Sequence, residues 1–229
     1  MRVFSLLGRQ PAANPLVGRT RPAASTSFSQ LAENHPALNA RRVKLPGPMG
    51  LGLLYAASEL WLGVTRRARG NAVSRDKKSF YVLWVVILAS VFFGIQTAYW
   101  FSSAVIPHRA ALRVIGFLVF VLGLVLRWFS IGYLGRFFTV DVAIHSGHRV
   151  IESGPYRFIR HPSYTGALLA FLGLGLSMAN WWSLTIFTLP TFLAFLVRIE
   201  VEERALANAM GEQYRSYQKR TKRLIPFIY

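Results

Sequence analysis

Apolar residues along this chain run together rather than recurring on one face, in nearly uncharged stretches around 80–107, 114–126 and 161–197. Stretches of that length and polarity suit lipid rather than water. They predict an all-α, polytopic integral membrane protein with about five membrane segments. The first, Pro48 to Val64, is interrupted by Glu59; Phe80 to about Ser103 is the clearest; Leu112 to about Ile131 carries Arg127. Ser163 to Met178 and Trp181 to Val197 follow, separated only by Ala179 and Asn180. These last two are too short for upright spans of roughly 20 residues each. They predict a tight helical hairpin, tilted or sheltered by protein, with Pro190 kinking its second arm. Beyond it Val201, Ala205, Leu206, Ala209, Met210, Tyr214 and Tyr217 recur at helical spacing opposite Arg204, Gln213, Arg215 and Lys219. That pattern predicts an amphipathic C-terminal helix on the cytoplasmic side, lying along the interface or under the bundle.

Residues 1–46 read differently: rich in Arg, Ala, Pro and Ser, with Glu33 the only acid and no sustained periodicity. They predict a disordered basic region ahead of a membrane domain spanning 47–229. The Arg-rich, acid-poor composition also matches an organellar transit peptide, whereas a secretory signal would need a longer apolar core. A dispensable tail or an over-early start codon is the alternative.

Charge adds a partner class and an orientation. The 27 Lys and Arg outnumber 9 Asp and Glu, a net charge of +18. In a soluble protein this would suggest nucleic acid, but here the bases sit between apolar runs and fit anionic headgroups instead. Six basic residues lie between Thr65 and Ser79, four arginines between Gly132 and Arg160, and seven basic residues from Arg198 onward; the link around Pro107 holds mainly Arg109. Basic residues near span ends are retained in the cytoplasm, so the segments 65–79 and 132–160 and the tail from Arg198 are expected there, and the link around Pro107 on the other side. The N-terminus would then be outside, yet Arg41, Arg42 and Lys44 oppose that placement, and the sequence leaves its side open.

Much chemistry is excluded. With no cysteine there is no disulfide, thiolate metal site or cysteine nucleophile. No zinc helix pattern, GxSxG or Walker loop occurs, and His145 and His148 lack an evident third ligand, so no metal is expected. Gly173-Leu174-Gly175 falls inside a span, where close helix packing explains it better than a dinucleotide fingerprint.

Polar residues gather instead in the loop RFFTVDVAIHSGHRVIESGPYRFIRHPSYTG and where the fifth segment ends, at Arg198, Glu200, Glu202 and Glu203. Pro162 suits the first position of the fourth helix, leaving the amides of Ser163 and Tyr164 to meet an anion. Three carboxylates within four residues repel one another unless a cation neutralises them. The short turn at Asn180 brings the cytoplasmic ends of both arms together, so one pocket would hold carboxylates, an arginine, a histidine and a tyrosine. Each piece also has a structural reading, with His161 bonded to a carbonyl, the tyrosines anchoring the interface and Arg198 snorkelling. Polar groups grouped at membrane depth are more often functional.

The run GPYRFIRHPSYTG, followed by RIEVEER and GEQYRSYQKRTKRLIPFIY, resembles the isoprenylcysteine carboxyl methyltransferases over roughly Pro48 to Tyr229. Phospholipid N-methyltransferases share much of the pattern. The resemblance implies an all-helical membrane methyltransferase using S-adenosyl-L-methionine on its cytoplasmic side, with a lipidic substrate entering from the bilayer. It implies cofactor contacts at His148, Arg149, Val150, Ile151, Tyr156, His161, Pro162, Ser163, Tyr164 and Glu202, and a substrate-side, catalytic Arg198. Asp141 stands where the family often has an amide, and Glu203 completes the acidic pair. Prenylcysteine carboxylate is the family's defining acceptor; an amine headgroup, or a non-catalytic lipid-binding role, would be the alternatives.

Overall fold

The computed structural model describes residues 45–65, 77–135, 150–226 and 228–229. Among these residues six α-helices follow in order: α1 (Pro48–Thr65), α2 (Lys77–Trp100), α3 (Arg109–Leu134), α4 (Pro162–Met178), α5 (Trp181–Met210) and α6 (Glu212–Arg220), with a 3-10 turn at Gly154–Arg157 before α4. Helices α2, α3 and α5 are long and apolar enough to cross a membrane, while α4, equally apolar, has only 17 residues. Large apolar side chains such as Val85, Leu88, Phe92, Leu122, Val125 and Leu193 stay exposed on the bundle, as a lipid-facing surface requires.

Lipid offers no hydrophobic drive for helices to associate, so backbone proximity must do so. Gly116 and Gly123 on α3 meet Gly166 and Gly173 on α4, each pair spaced by two helical turns. A methyl group built on Gly123 would lie 2.5 Å from the Ala170 nitrogen, and one on Gly116 would lie 2.6 Å from the Gly173 oxygen. Only glycine permits this approach, which explains Gly173 as a packing residue. Helix α4 therefore lies deepest, against α3, α5 and α1, and its Ala167, Ala170, Phe171 and Leu174 are buried with Phe120, Phe187 and Phe195.

At one end of the bundle the α4–α5 turn is tied to the α2–α3 link. Ala179 adopts a left-handed conformation, φ 49°, and Asn180 caps α5 by accepting from the Ser183 amide at 3.1 Å. The Asn180 Nδ2 donates to the Phe101 carbonyl at 2.9 Å, and the Ile106 amide to that of Ala179 at 2.8 Å.

The other end departs from expectation in one respect. The sequence predicts a helix ending near Val197 and a separate amphipathic one after it, yet α5 continues through Met210. No helix breaker occurs between Val197 and Met210, and leaving an apolar environment does not itself end a helix whose residues favour it. The break comes at Gly211, whose φ of 59° suits glycine, and α6 starts anew. The face expected to be continuous is thereby split: Tyr214 and Tyr217 on α6 are buried, while Ala209 is exposed. Residues 1–44, on which most of the expected N-terminal region falls, lie outside the described residues.

Candidate functional site

The segment entering α4 is held from two sides. Tyr156, buried in the 3-10 turn, donates its hydroxyl to the Ser130 carbonyl of α3 at 3.1 Å, and Tyr217 of α6 donates to the Tyr156 carbonyl at 2.6 Å. The Arg160 amide donates to the Lys222 carbonyl at 2.7 Å and the His161 amide to that of Arg223 at 3.0 Å, so residues 221–224 run alongside as a strap. Pro162 opens α4 as expected. The expected free amide of Tyr164 is not free: it donates to the His161 carbonyl at 3.0 Å, because the helix tightens in its first turn.

The three carboxylates expected to repel one another are separated by helix geometry, since adjacent residues project about 100° apart. Glu203, 3% exposed, accepts from Arg160 Nε at 2.7 Å, from Arg223 Nε at 3.0 Å and is 3.2 Å from His161 Nε2. Arg160 Nη1 also donates to the carbonyls of Gln218 and Thr221. Glu200 pairs with Arg204 at 2.9 Å and Arg223 at 2.8 Å. Glu202 faces elsewhere. It accepts the Tyr164 hydroxyl at 2.8 Å, and among the described residues no cation pairs with it.

Tyr164 is the junction of the site. Its ring stacks on His161, with centroids 5.5 Å apart and planes 12° apart, and leans on Phe195 at 5.0 Å. Arg198, one turn before Glu202, is 2% exposed; Nη1 donates to Ser79 Oγ at 2.7 Å, and the guanidinium carbon lies 6.0 Å from the Phe80 ring centre. Burial, and then the Glu202 carboxylate, push the Tyr156 phenol above its usual range. Tyr214 is raised by burial, then by Glu203 and Glu202. These two phenols stay protonated near neutral pH and serve as dipoles, not bases.

Six of the expected residues, His161, Pro162, Ser163, Tyr164, Arg198 and Glu202, thus fall in one cluster, with Tyr156 near enough to feel the charge of Glu202. Val150 and Ile151 are half-buried in the extended lead into the 3-10 turn. His148, Arg149 and Asp141 lie outside the described residues. A separate polar cavity of about 310 Å³, lined by Glu152, Arg157, Tyr217, Arg220 and Thr221, borders the site on the side of α6.

Sequence reasoning missed the partners. Glu59 and Arg127 interrupt two apolar segments, and the structure shows why both are tolerated: Arg127 Nε and Nη2 reach the two Glu59 oxygens at 2.6 and 2.7 Å. The available signal was that each charge is costly in an apolar span unless it meets its opposite. Arg160, Arg223 and Ser79 carried no comparable signal, because basic and hydroxyl residues near a span end are common.

The model of the isoprenylcysteine carboxyl methyltransferase family matches residues 114–208. A probable protein-S-isoprenylcysteine O-methyltransferase of Oryza sativa subsp. japonica is 33% identical over 132 residues, covering 57% of this chain and 64% of that protein. The protein-S-isoprenylcysteine O-methyltransferase of Tribolium castaneum is 32% identical over 149 residues, 63% of this chain and 49% of its own length. The chain therefore spans less than two thirds of these relatives. A solved structure of the eukaryotic intramembrane Ras methyltransferase ICMT superposes with a TM-score of 0.60 at 27% identity, covering 79% of this chain and 65% of that one. With its apolar helices, this likeness makes the chain an integral membrane protein. In sequence over 114–208, and in fold, it is similar to the isoprenylcysteine carboxyl methyltransferase family.

Proposed function

We propose that this protein is a membrane methyltransferase that uses S-adenosyl-L-methionine to esterify the carboxylate of a prenylcysteine-like, lipidic acceptor. The observation that carries the reading is Glu202, a carboxylate held by Tyr164 and left without a cationic partner among the described residues, one helical turn from buried Arg198. A carboxylate that accepts a tyrosine hydroxyl and has no cation paired with it among the described residues suits a ligand that carries positive charge, and a buried guanidinium one turn away suits one that carries negative charge. These are the demands of a sulfonium donor with an ammonium group and of a carboxylate acceptor, so the residues fit the donor.

The donor, when bound, supplies a methyl group on a positively charged sulfur. Glu202 would hold its ammonium, with Tyr164 fixing the carboxylate from the far side. Tyr156, His161, Pro162 and Ser163 would form the wall at the start of α4, with Val150 and Ile151 at its edge; the family resemblance adds His148 and Arg149 as donor contacts. Arg198 would orient the acceptor carboxylate, which is ionised at neutral pH and needs no general base. His161 is engaged by Glu203, consistent with this absence. The chain's work is to align the reacting atoms and exclude water, and no covalent intermediate with the protein is required.

In this reading 47–229 is the membrane methyltransferase domain, and 1–46 is a basic N-terminal region without an assigned role. Helices α1 and α4 also count as membrane segments, making about five, with α4 and α5 as a hairpin. The burial of α4 among its neighbours supports this, since a helix sheltered by protein tolerates being short. The basic links support a site on the cytoplasmic side. A single cysteine introduced at Ser216 is then expected to escape an impermeant thiol reagent in intact cells, and labelling from outside would overturn that placement. The reaction itself is tested by offering the purified protein and labelled donor a prenylcysteine analogue and, separately, an amine-headgroup phospholipid. A base-labile methyl ester is the expected product; methyl transfer to the amine alone would overturn the carboxylate assignment.

A further inference from the structure

The buried pair of Glu59 and Arg127 does more than neutralise itself. Glu59 is 8% exposed and Arg127 7%, and their two short hydrogen bonds are those of a planar fork meeting a carboxylate. Such pairs are often no more stabilising than apolar side chains of similar volume, so packing alone gives little reason for one between α1 and α3. The remaining arm of the guanidinium is the informative one. Arg127 Nη1 donates to the Ser163 carbonyl at 3.2 Å, in the first turn of α4. The backbone is tight at the same level, where a methyl group on Gly166 would lie 2.5 Å from the Arg127 nitrogen. The first turn of α4 is thus fixed against α3 by both backbone and side chain, immediately before Tyr164.

We propose that Arg127, oriented by Glu59, is a positioning residue: it holds the first turn of α4 so that the Tyr164 hydroxyl meets Glu202. The proposal rests on the methyltransferase reading for its consequence but not for its geometry. It also assigns a role in the site to α1, which precedes the stretch matched by the family. A lysine at 127 keeps the charge but cannot span two carboxylate oxygens and a carbonyl together. The replacement of both partners by apolar residues, Glu59→Leu with Arg127→Met, should preserve the fold while releasing Ser163.

The test places 3-fluorotyrosine at position 164 and follows its fluorine resonance in the full chain in detergent, without ligand. A second label at Tyr99, exposed near the opposite end of α2, reports general disturbance. Arg127→Lys and the apolar double variant are expected to shift or broaden the signal at 164 and to leave that at 99 in place. An unchanged signal at 164, or equal changes at both sites, overturns the proposal. A parallel titration with S-adenosyl-L-methionine should show Arg127→Lys weakening binding at least about fivefold in the native chain and less than about twofold in a Tyr164→Phe background, as expected of coupled residues. Equal penalties in both backgrounds overturn it. If the native chain binds no donor, the methyltransferase reading fails, while the fluorine signal still decides whether Arg127 positions Tyr164.

Discussion

Glu202→Gln is expected to weaken binding of S-adenosyl-L-methionine by about 10- to 100-fold, with little loss of folded protein. The amide oxygen can still accept the Tyr164 hydroxyl, which now lies 2.8 Å from the carboxylate, so the local structure has a route to survive. What disappears is the charge that would meet the donor's ammonium, and a hydrogen bond to a charged group is worth about 1.5–3 kcal/mol. Calorimetric titration checks this, and an unchanged dissociation constant would remove Glu202 from the donor site. The neighbouring Glu203→Gln should behave in the opposite way. Glu203 balances Arg160 and Arg223, so removing its charge leaves the buried Arg160 guanidinium without its carboxylate, while the partly exposed Arg223 keeps Glu200. Its loss should appear first as lowered thermal stability, a greater structural cost than a merely supporting helix residue would carry.

Arg198→Lys is expected to cut turnover at least about tenfold, equivalent to roughly 1.4 kcal/mol of transition-state stabilisation, while donor affinity changes little. Arg198 sits among Ser79, Phe80 and the Tyr164 cluster with almost no solvent exposure. Lysine preserves the charge there but loses the planar fork that would fix an acceptor carboxylate, so alignment suffers more than attraction. Comparing turnover with the donor dissociation constant makes the check specific. If both collapse together, Arg198 supports the whole site; if turnover survives, the acceptor is held elsewhere.

Helices α2 and α3 were legible because their apolar runs are long and, apart from Arg127, nearly uncharged, and Pro162 and Asn180 marked the starts of α4 and α5 by known end preferences. The end of α5 was not legible. A run of charges at 198–204 looks like a boundary when hydropathy is followed, but the backbone responds to Gly211. The site shows the same division. A carboxylate cluster and a helix start that converge across one short turn marked the pocket, and the family resemblance singled out Tyr164, Arg198 and Glu202 within it. That Glu202, of the three carboxylates, would have no cation paired with it among the described residues could not be read, since it depends on Arg160 and Arg223 arriving from distant segments to claim Glu203 and Glu200. Glu59 and Arg127 are 68 residues apart, and each looked like a defect in its own span until the packing of α1, α3 and α4 joined them.

Whether the cluster around Glu202 is a site for a sulfonium methyl donor is tested most directly by titrating the purified native chain, in detergent, with S-adenosyl-L-methionine. Saturable binding at one site per chain is expected, lost or strongly weakened in Glu202→Gln. Absence of saturable binding by a folded native chain, or equally tight binding by the variant, would contradict it.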